Sequence, residues 1–89
     1  MEFEWDSGNQ IKSFLKHGIT PQESEEIFSH TYVLRIDESH SNREVRFEII
    51  GETNVGKVLF VIFTTRQEKI RIISARIASK KERQIYEKI

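Results

Sequence analysis

No cysteine occurs among the 89 residues, so neither a disulfide framework nor a thiolate metal site can exist. A single proline and four glycines leave no Pro/Gly-rich linker, and no repeat or low-complexity tract interrupts the chain. The longest apolar run, VLFVIF at 58–63, is far short of the ~20 residues that a membrane-spanning helix needs. The opening MEFEWDSGNQ is acidic and lacks the basic-then-apolar order of a signal peptide. These absences give the expectation of one soluble cytoplasmic domain over residues 1–89 with no membrane partner.

Net charge is missing too, with 14 Lys and Arg against 14 Asp and Glu. The zero conceals a polarity along the chain. Residues 1–56 hold five cations and eleven acids, a net of −6, while residues 57–89 hold nine cations and three acids, a net of +6. An uneven split of this kind points to an anionic partner at the basic end, or to two halves that neutralise each other in the fold.

What is present reads as α+β. Asp6 can cap a first helix with Ile11, Phe14 and Leu15 on one face and Lys16-His17-Gly18 at its end. Thr20-Pro21-Gln22-Glu23 is a capping box with proline at the first helical position, so a second short helix begins there. Period-two patterning then predicts strands from Thr31 and over 44–50, with DESHSNR (37–43) as the loop between them. The stretch 57–65, apolar on both faces, reads as a central strand and 70–77 as the last, and Ser79-Lys80-Lys81-Glu82 caps a C-terminal helix. Short connections favour an antiparallel meander. The expected fold class is α+β: two N-terminal helices, a four-stranded antiparallel sheet and a C-terminal helix, with the helices largely on one face.

Gly51-Glu-Thr-Asn-Val-Gly56-Lys57 has the spacing of a phosphate-binding loop. That loop needs a following helix and a Ser or Thr after the lysine, whereas Val58 and a strand follow here. A hairpin turn accounts for the same residues. No nucleophile elbow appears, and the three histidines lack metal-ligand spacing.

Scattered cations, three histidines and a late tyrosine do suit one reaction, cleavage of RNA by its own 2′-hydroxyl. It needs a base, an acid and fixed positive charge at the phosphorane, with no metal or cofactor. His17 is a candidate acid or base, or simply a cation at a helix end. Arg66 ends the central strand. Arg76, grouped by period two with Ile70, Ile72 and Ser74, must find an anion or reach solvent; Glu44 or Glu48 is a candidate counter-ion. Arg83 and Tyr86 share one face of the last helix. Tyr86 is open to three roles: core edge, base-stacking platform or proton donor.

Taken in order, FEWD (3–6), KHGI (16–19), HS (40–41), Glu44, Arg46, IG (50–51), GKVLFVIFTTR (56–66), IRIISAR (70–76) and ER-x-x-YE (82–87) span nearly the whole chain. In these the chain resembles the BrnT family, RelE-like ribonuclease toxins of type II toxin–antitoxin modules. The resemblance implies RNA cleavage that arrests translation, a BrnA-like antitoxin partner, and operator DNA bound only through the antitoxin complex. The family positions present here are Lys16, His17, Arg66, Arg76, Glu82, Arg83 and Tyr86. The resemblance thereby implies a catalytic set of His17, Arg66 and Arg76, with Lys16, Arg83 and Tyr86 positioning substrate and no metal or cofactor. Lys80 and Lys81 are expected to bind substrate through salt-dependent attraction. Where the family usually has Lys and Asn in its first helix, this chain has Asn9 and Ser13. The competing reading is a non-catalytic domain that holds an acidic protein through its basic half.

Overall fold

The structure, a computed structural model, describes residues 2–5, 8, 12, 14, 16–40 and 44–88. Alternating apolar residues build five strands: β1 (Glu2–Trp5), β2 (Tyr32–Ile36), β3 (Phe47–Glu52), β4 (Val58–Arg66) and β5 (Lys69–Ile77). They form one sheet in the order β1-β5-β4-β3-β2. β2 to β5 are an antiparallel meander, whereas β1 lies parallel to β5, with Phe3 opposite Ile70 and Trp5 opposite Ile72. The expected four-stranded antiparallel sheet is therefore corrected to a five-stranded mixed one. The antiparallel argument concerns strands joined by short connections, and it does not bind two strands from opposite ends of the chain.

Helices need correction as well. α1 (Pro21–Glu26) starts at the Thr20–Glu23 capping box and tightens into a 3-10 turn over Ile27–Ser29. α2 (Lys80–Glu87) starts at the Ser79–Glu82 box. Instead of two N-terminal helices and a third, two helices stand as described elements. Most of the earlier stretch, including Asp6, Ile11 and Leu15, lies outside the described residues, as do Asn9 and Ser13.

The two helices also lie on opposite faces of the sheet. On the first face Ile19, Ile27, Ile49, Leu59, Val61, Phe63, Ile70, Ile72 and Ala75 are buried, with Phe3, Trp5, Phe28 and Phe47 packed around them. Gly51 lets the turn after α1 approach: a Cβ there would sit 3.1 Å from Ile27 Cβ and 3.2 Å from its carbonyl oxygen. Trp5 Nε1 donates to Glu25 at 2.8 Å, tying β1 to α1. On the second face Ile50, Val58, Phe60 and Ala78 form a smaller core with Val33, Ile62, Ile85 and Tyr86, which places α2 there.

One irregularity decides which way Arg76 points. Ile62 pairs with Ser74 but Phe63 pairs with Ile72, so β5 carries an extra residue at Ile73. Such a bulge reverses the alternation beyond it. Ile70 and Ile72 share the first face with Ala75, while Arg76 comes out on the second, beside Phe60. The strict period-two grouping of Arg76 with Ile70 and Ile72 is overturned by this single residue.

Candidate functional site

α2 covers only one end of the second face. Reading across the strands, the row at the first turn of α2 is Val33, Ile50, Phe60 and Arg76. The next row is Arg35, Glu48, Ile62 and Ser74, and the one after includes Thr64, Arg71 and Glu4. Successive rows lie about 6.7 Å apart, two residues along a strand. Beyond the helix this face is open. It holds a concavity of about 280 Å³ lined by Asp37, Ser39, Arg46, Glu48, Phe60, Ile62, Ile73 and Ser74.

Arg76 stands at the boundary between the covered and open parts. Its Nη1 and Nη2 donate to the two oxygens of Glu82, each at 2.8 Å, and Nη1 also reaches the Ile77 carbonyl at 3.3 Å. Its Cζ lies 4.3 Å from the centre of the Phe60 ring, a cation–π distance. Glu82 is itself fixed, accepting from the Ser79 backbone N–H at 2.8 Å while Ser79 Oγ accepts from the Glu82 N–H at 3.2 Å. One carboxylate thus closes the cap of α2 and clamps a strand arginine. Burial acts to raise the Glu82 pKa, but hydrogen bonds from Arg76 and Ser79 outweigh it and hold the group below its ordinary value. Arg76 is pushed upward, chiefly by the hydrogen bonds to Glu82, with Glu48 adding a smaller attraction.

Other arginines on this face are countered in the same way. Arg35 Nη2 donates to Glu48 at 2.9 Å and Arg71 Nη1 to Glu4 at 2.9 Å. Arg46 lines the concavity with Asp37. Four guanidinium groups and four carboxylates therefore share one sheet face. Sequence reasoning undervalued Arg35, Arg71 and Glu48; the signal lay in charges alternating with apolar residues along β2, β3 and β5. Among the described residues, no three His, Cys, Asp or Glu side chains group as a metal-holding set.

The candidate residues do not form one cluster. Arg66 sits at the β4–β5 turn opposite Lys69, bonded to Glu44 at 3.2 and 3.4 Å, six residues along β4 from Phe60; that is about 20 Å from the level of Arg76. Lys16 and His17 are exposed and helical. Ile19, two residues on, is buried in the first-face core, so the chain there lies on the other side of the sheet from Arg76. Lys80, Lys81 and Arg83 are exposed on α2, near Arg76. Tyr86 packs on the second-face core as a core edge, its hydroxyl donating to the Thr31 carbonyl at 3.2 Å. Burial raises its pKa and Glu52 adds to the effect. Tyr86 also lines a separate recess of about 430 Å³ with His30, Glu52 and Asn54.

The structure defines a small α+β protein whose open sheet face is set with arginines, an arrangement that suits phosphate-bearing ligands. Residues 5–82 match the family described as ribonuclease toxin, BrnT, of type II toxin–antitoxin system. The fold is similar to the crystal structure of the Brucella abortus ribonuclease toxin BrnT, with a TM-score of 0.65 and 25% identity, covering 90% of this chain and 99% of that one. No curated protein matches the chain in sequence. The chain belongs to the BrnT family of ribonuclease toxins. Membership of a type II toxin–antitoxin family implies an RNA target and a protein antitoxin. Among the described residues no helix is long and apolar enough to cross a membrane.

Proposed function

We propose that this chain is a metal-independent endoribonuclease acting in the cytoplasm, with its catalytic centre on the open sheet face around Arg76. The observation that carries the reading is the Arg76 guanidinium, held by Glu82 on one side and Phe60 beneath, at the edge of a concavity containing Glu48. A pre-positioned cation of this kind stabilises negative charge as it accumulates on the phosphorane, without reorganising during the reaction. The RNA 2′-hydroxyl attacks the adjacent phosphorus and its proton passes to the Glu48 carboxylate. The bond from phosphorus to the 5′-oxygen then breaks, and that oxygen takes a proton from the same carboxylate or from water. The products are a 2′,3′-cyclic phosphate and a 5′-hydroxyl.

Lys80, Lys81 and Arg83 draw the strand towards this face through salt-dependent attraction, whereas Arg66 is held by Glu44 at the far turn and Lys16 lies with His17 across the sheet. His17 is not carried into the centre, because its segment lies across the sheet from Arg76. In the cell this activity arrests translation. A BrnA-like antitoxin neutralises it, and the complex contacts operator DNA through the antitoxin.

The test is incubation of the purified chain with naked RNA in EDTA, followed by end-group analysis. The expected ends are 2′,3′-cyclic phosphates, with Arg76→Ala slowing cleavage on the order of 10²–10³-fold. Cleavage abolished by chelation overturns the metal-free route.

A second reading, a non-catalytic domain that holds an acidic protein through its basic half, is favoured by exposed Lys80, Lys81 and Arg83 on α2, which attract an acidic chain without any catalysis. Growth arrest on expression that soluble Arg76→Ala loses decides for the nuclease. Absence of arrest with intact cellular RNA decides for the binding domain.

A further inference from the structure

The two outer strands of the sheet are finished differently. β1 is four residues long, and its Glu2 and Glu4 pair with Lys69 at 3.9 Å and Arg71 at 2.9 Å, charges that discourage edge-to-edge pairing. β2, the other outer strand, has no such protection on its first-face side among the described residues. Tyr32, Leu34 and Ile36 there are 41%, 49% and 57% exposed. The Asp37 N–H bonds the Arg46 carbonyl, and the same register carries Val45, 49% exposed, onto the same strip. Among the described residues seven large apolar side chains are exposed, and four of them lie here. An apolar strip beside an unpaired strand edge marks a place where another chain pairs.

We propose that the outer edge of β2 binds an extended segment of the antitoxin, which adds a sixth strand to the sheet. The proposal rests on the toxin reading, which supplies a protein partner, and it names where that partner holds on. In strand addition, main-chain hydrogen bonds give affinity and alternate side chains give specificity. The segment carries apolar residues at every second position, lying over Tyr32, Leu34 and Ile36. The residues between them emerge on the second face, beside Val33 and Arg35.

That register explains the choice of occupant. Arg35 bonds Glu48 at 2.9 Å, and Glu48 lines the concavity. The Arg35 side chain is still 44% exposed, so an acidic side chain opposite it adds a second attraction beside that of Glu48 and stands at the rim of the proposed catalytic centre. A single segment is thus anchored on one face and obstructs the site on the other, which is what neutralisation requires. A second copy of this chain fits less well. Antiparallel pairing of β2 with itself about Leu34 leaves the two Arg35 residues as diagonal neighbours of like charge at about 7–8 Å, and brings no acid to the rim.

The experiment measures amide hydrogen exchange of the intact chain, alone at two concentrations and with the protein encoded in the reading frame adjacent to its own. The affinity of Leu34→Lys and Ile36→Lys for that protein is measured alongside. Both side chains are exposed, so the variants retain the fold, and the exchange measurement on the unmodified chain needs no variant. The expected results are slowed exchange over 32–36 only with the partner, and roughly 10- to 100-fold weaker binding by Leu34→Lys with RNA cleavage unchanged. Binding that leaves 32–36 unprotected, affinity unaltered by both substitutions, or no binding by that protein overturns the proposal. Protection that grows with concentration of the chain alone identifies a second copy and overturns it as well. A chain that cuts no RNA, yet binds and is protected over 32–36, supports the edge while refuting the nuclease reading.

Discussion

Replacing Glu82 tests whether one carboxylate joins the last strand to the last helix. Its two 2.8 Å bonds to Arg76 are charge-assisted, a type worth roughly 1.5–3 kcal/mol net when sheltered. The Arg76 side chain is 40% exposed and that of Glu82 15%, so screening places the pair near the bottom of that range, at about 1.5 kcal/mol. The capping role adds about 0.5–1 kcal/mol. Glu82→Ala should therefore destabilise the fold by about 2–2.5 kcal/mol, lowering Tm by roughly 8–20 °C for a domain of this size. Glu82→Gln keeps an acceptor for the cap and one bond to Arg76, and should lose about half as much. Ser79→Ala removes the hydroxyl half of the box alone, at about 1 kcal/mol. Urea unfolding of Arg76→Ala, Glu82→Ala and the double variant isolates the pair, with an expected coupling of about 1–1.5 kcal/mol. Coupling below about 0.3 kcal/mol would mean that the clamp contributes nothing, and the argument for a pre-positioned Arg76 would go with it.

Three further outcomes follow from the same geometry. The pKa of Glu82 is lowered by Arg76 and Ser79 against the opposing effect of burial, and that of Glu23 is lowered chiefly by its hydrogen bond to Lys57. Their stabilisation is complete above the ordinary value of 4.5 and is lost as pH falls through the depressed values. Urea midpoints should hold at mildly acidic pH and then fall, with a shallower fall in Glu23→Gln/Glu82→Gln; an identical fall in that variant contradicts the assignment. Gly51→Ala should cost about 1–3 kcal/mol, because the new Cβ meets Ile27 at 3.1 and 3.2 Å; an unchanged melting temperature would show that the turn yields freely. Gln67 and Glu68 have φ of +50° and +66° at the β4–β5 turn, so Glu68→Gly should stabilise by about 0.5–1 kcal/mol, and a lowered Tm would refute this.

Local signals in the chain told most about ends of elements and least about what crosses the sheet. Both capping boxes, Thr20–Glu23 and Ser79–Glu82, were readable because each closes within four residues. The alternation of β2 and β3, and the two-sided apolar run of β4, were readable for the same reason. β1 was not, since four residues give no periodicity and its pairing with β5 joins the strands farthest apart in the chain among the described residues. The bulge at Ile73 sits where two adjacent isoleucines, Ile72 and Ile73, interrupt the alternation, and a strict period of two carried through them puts Arg76 on the wrong face. Glu44 and Glu48 are the counter-ions the sequence offers for Arg76, but the fold gives Arg76 to Glu82, Glu44 to Arg66 and Glu48 to Arg35. Glu82 is legible as a capping residue and as part of the ER-x-x-YE motif, but nothing in a one-dimensional pattern reports that its carboxylate reaches back to β5. The candidate site was legible as a list of cations; their separation into two ends of the β4–β5 ladder was not.

Neutrality of the open face has a consequence for how RNA is held. Arg35, Arg71 and Arg76 each face a bonded carboxylate, so a phosphate gains contact there only by replacing an ion pair already made. Exchange of one anion for another releases few counter-ions, and salt then weakens binding little. Long-range attraction falls to exposed Lys80, Lys81 and Arg83. With about 0.7 counter-ion released per phosphate on a single strand, three such contacts give a slope of log K against log salt near −2. Were Arg35, Arg46, Arg71 and Arg76 all available as free cations besides, seven contacts would give about −5. The shallow slope carries a mechanistic corollary: a phosphate that takes Arg35 from Glu48 frees that carboxylate to accept a proton when substrate arrives. Filter binding of a single-stranded RNA to a chain slowed by Arg76→Lys, over 50–300 mM salt (a roughly sixfold span), distinguishes the two. A slope near −5 would show the ion pairs open in solution, and Glu48 would then have no reason to wait for substrate.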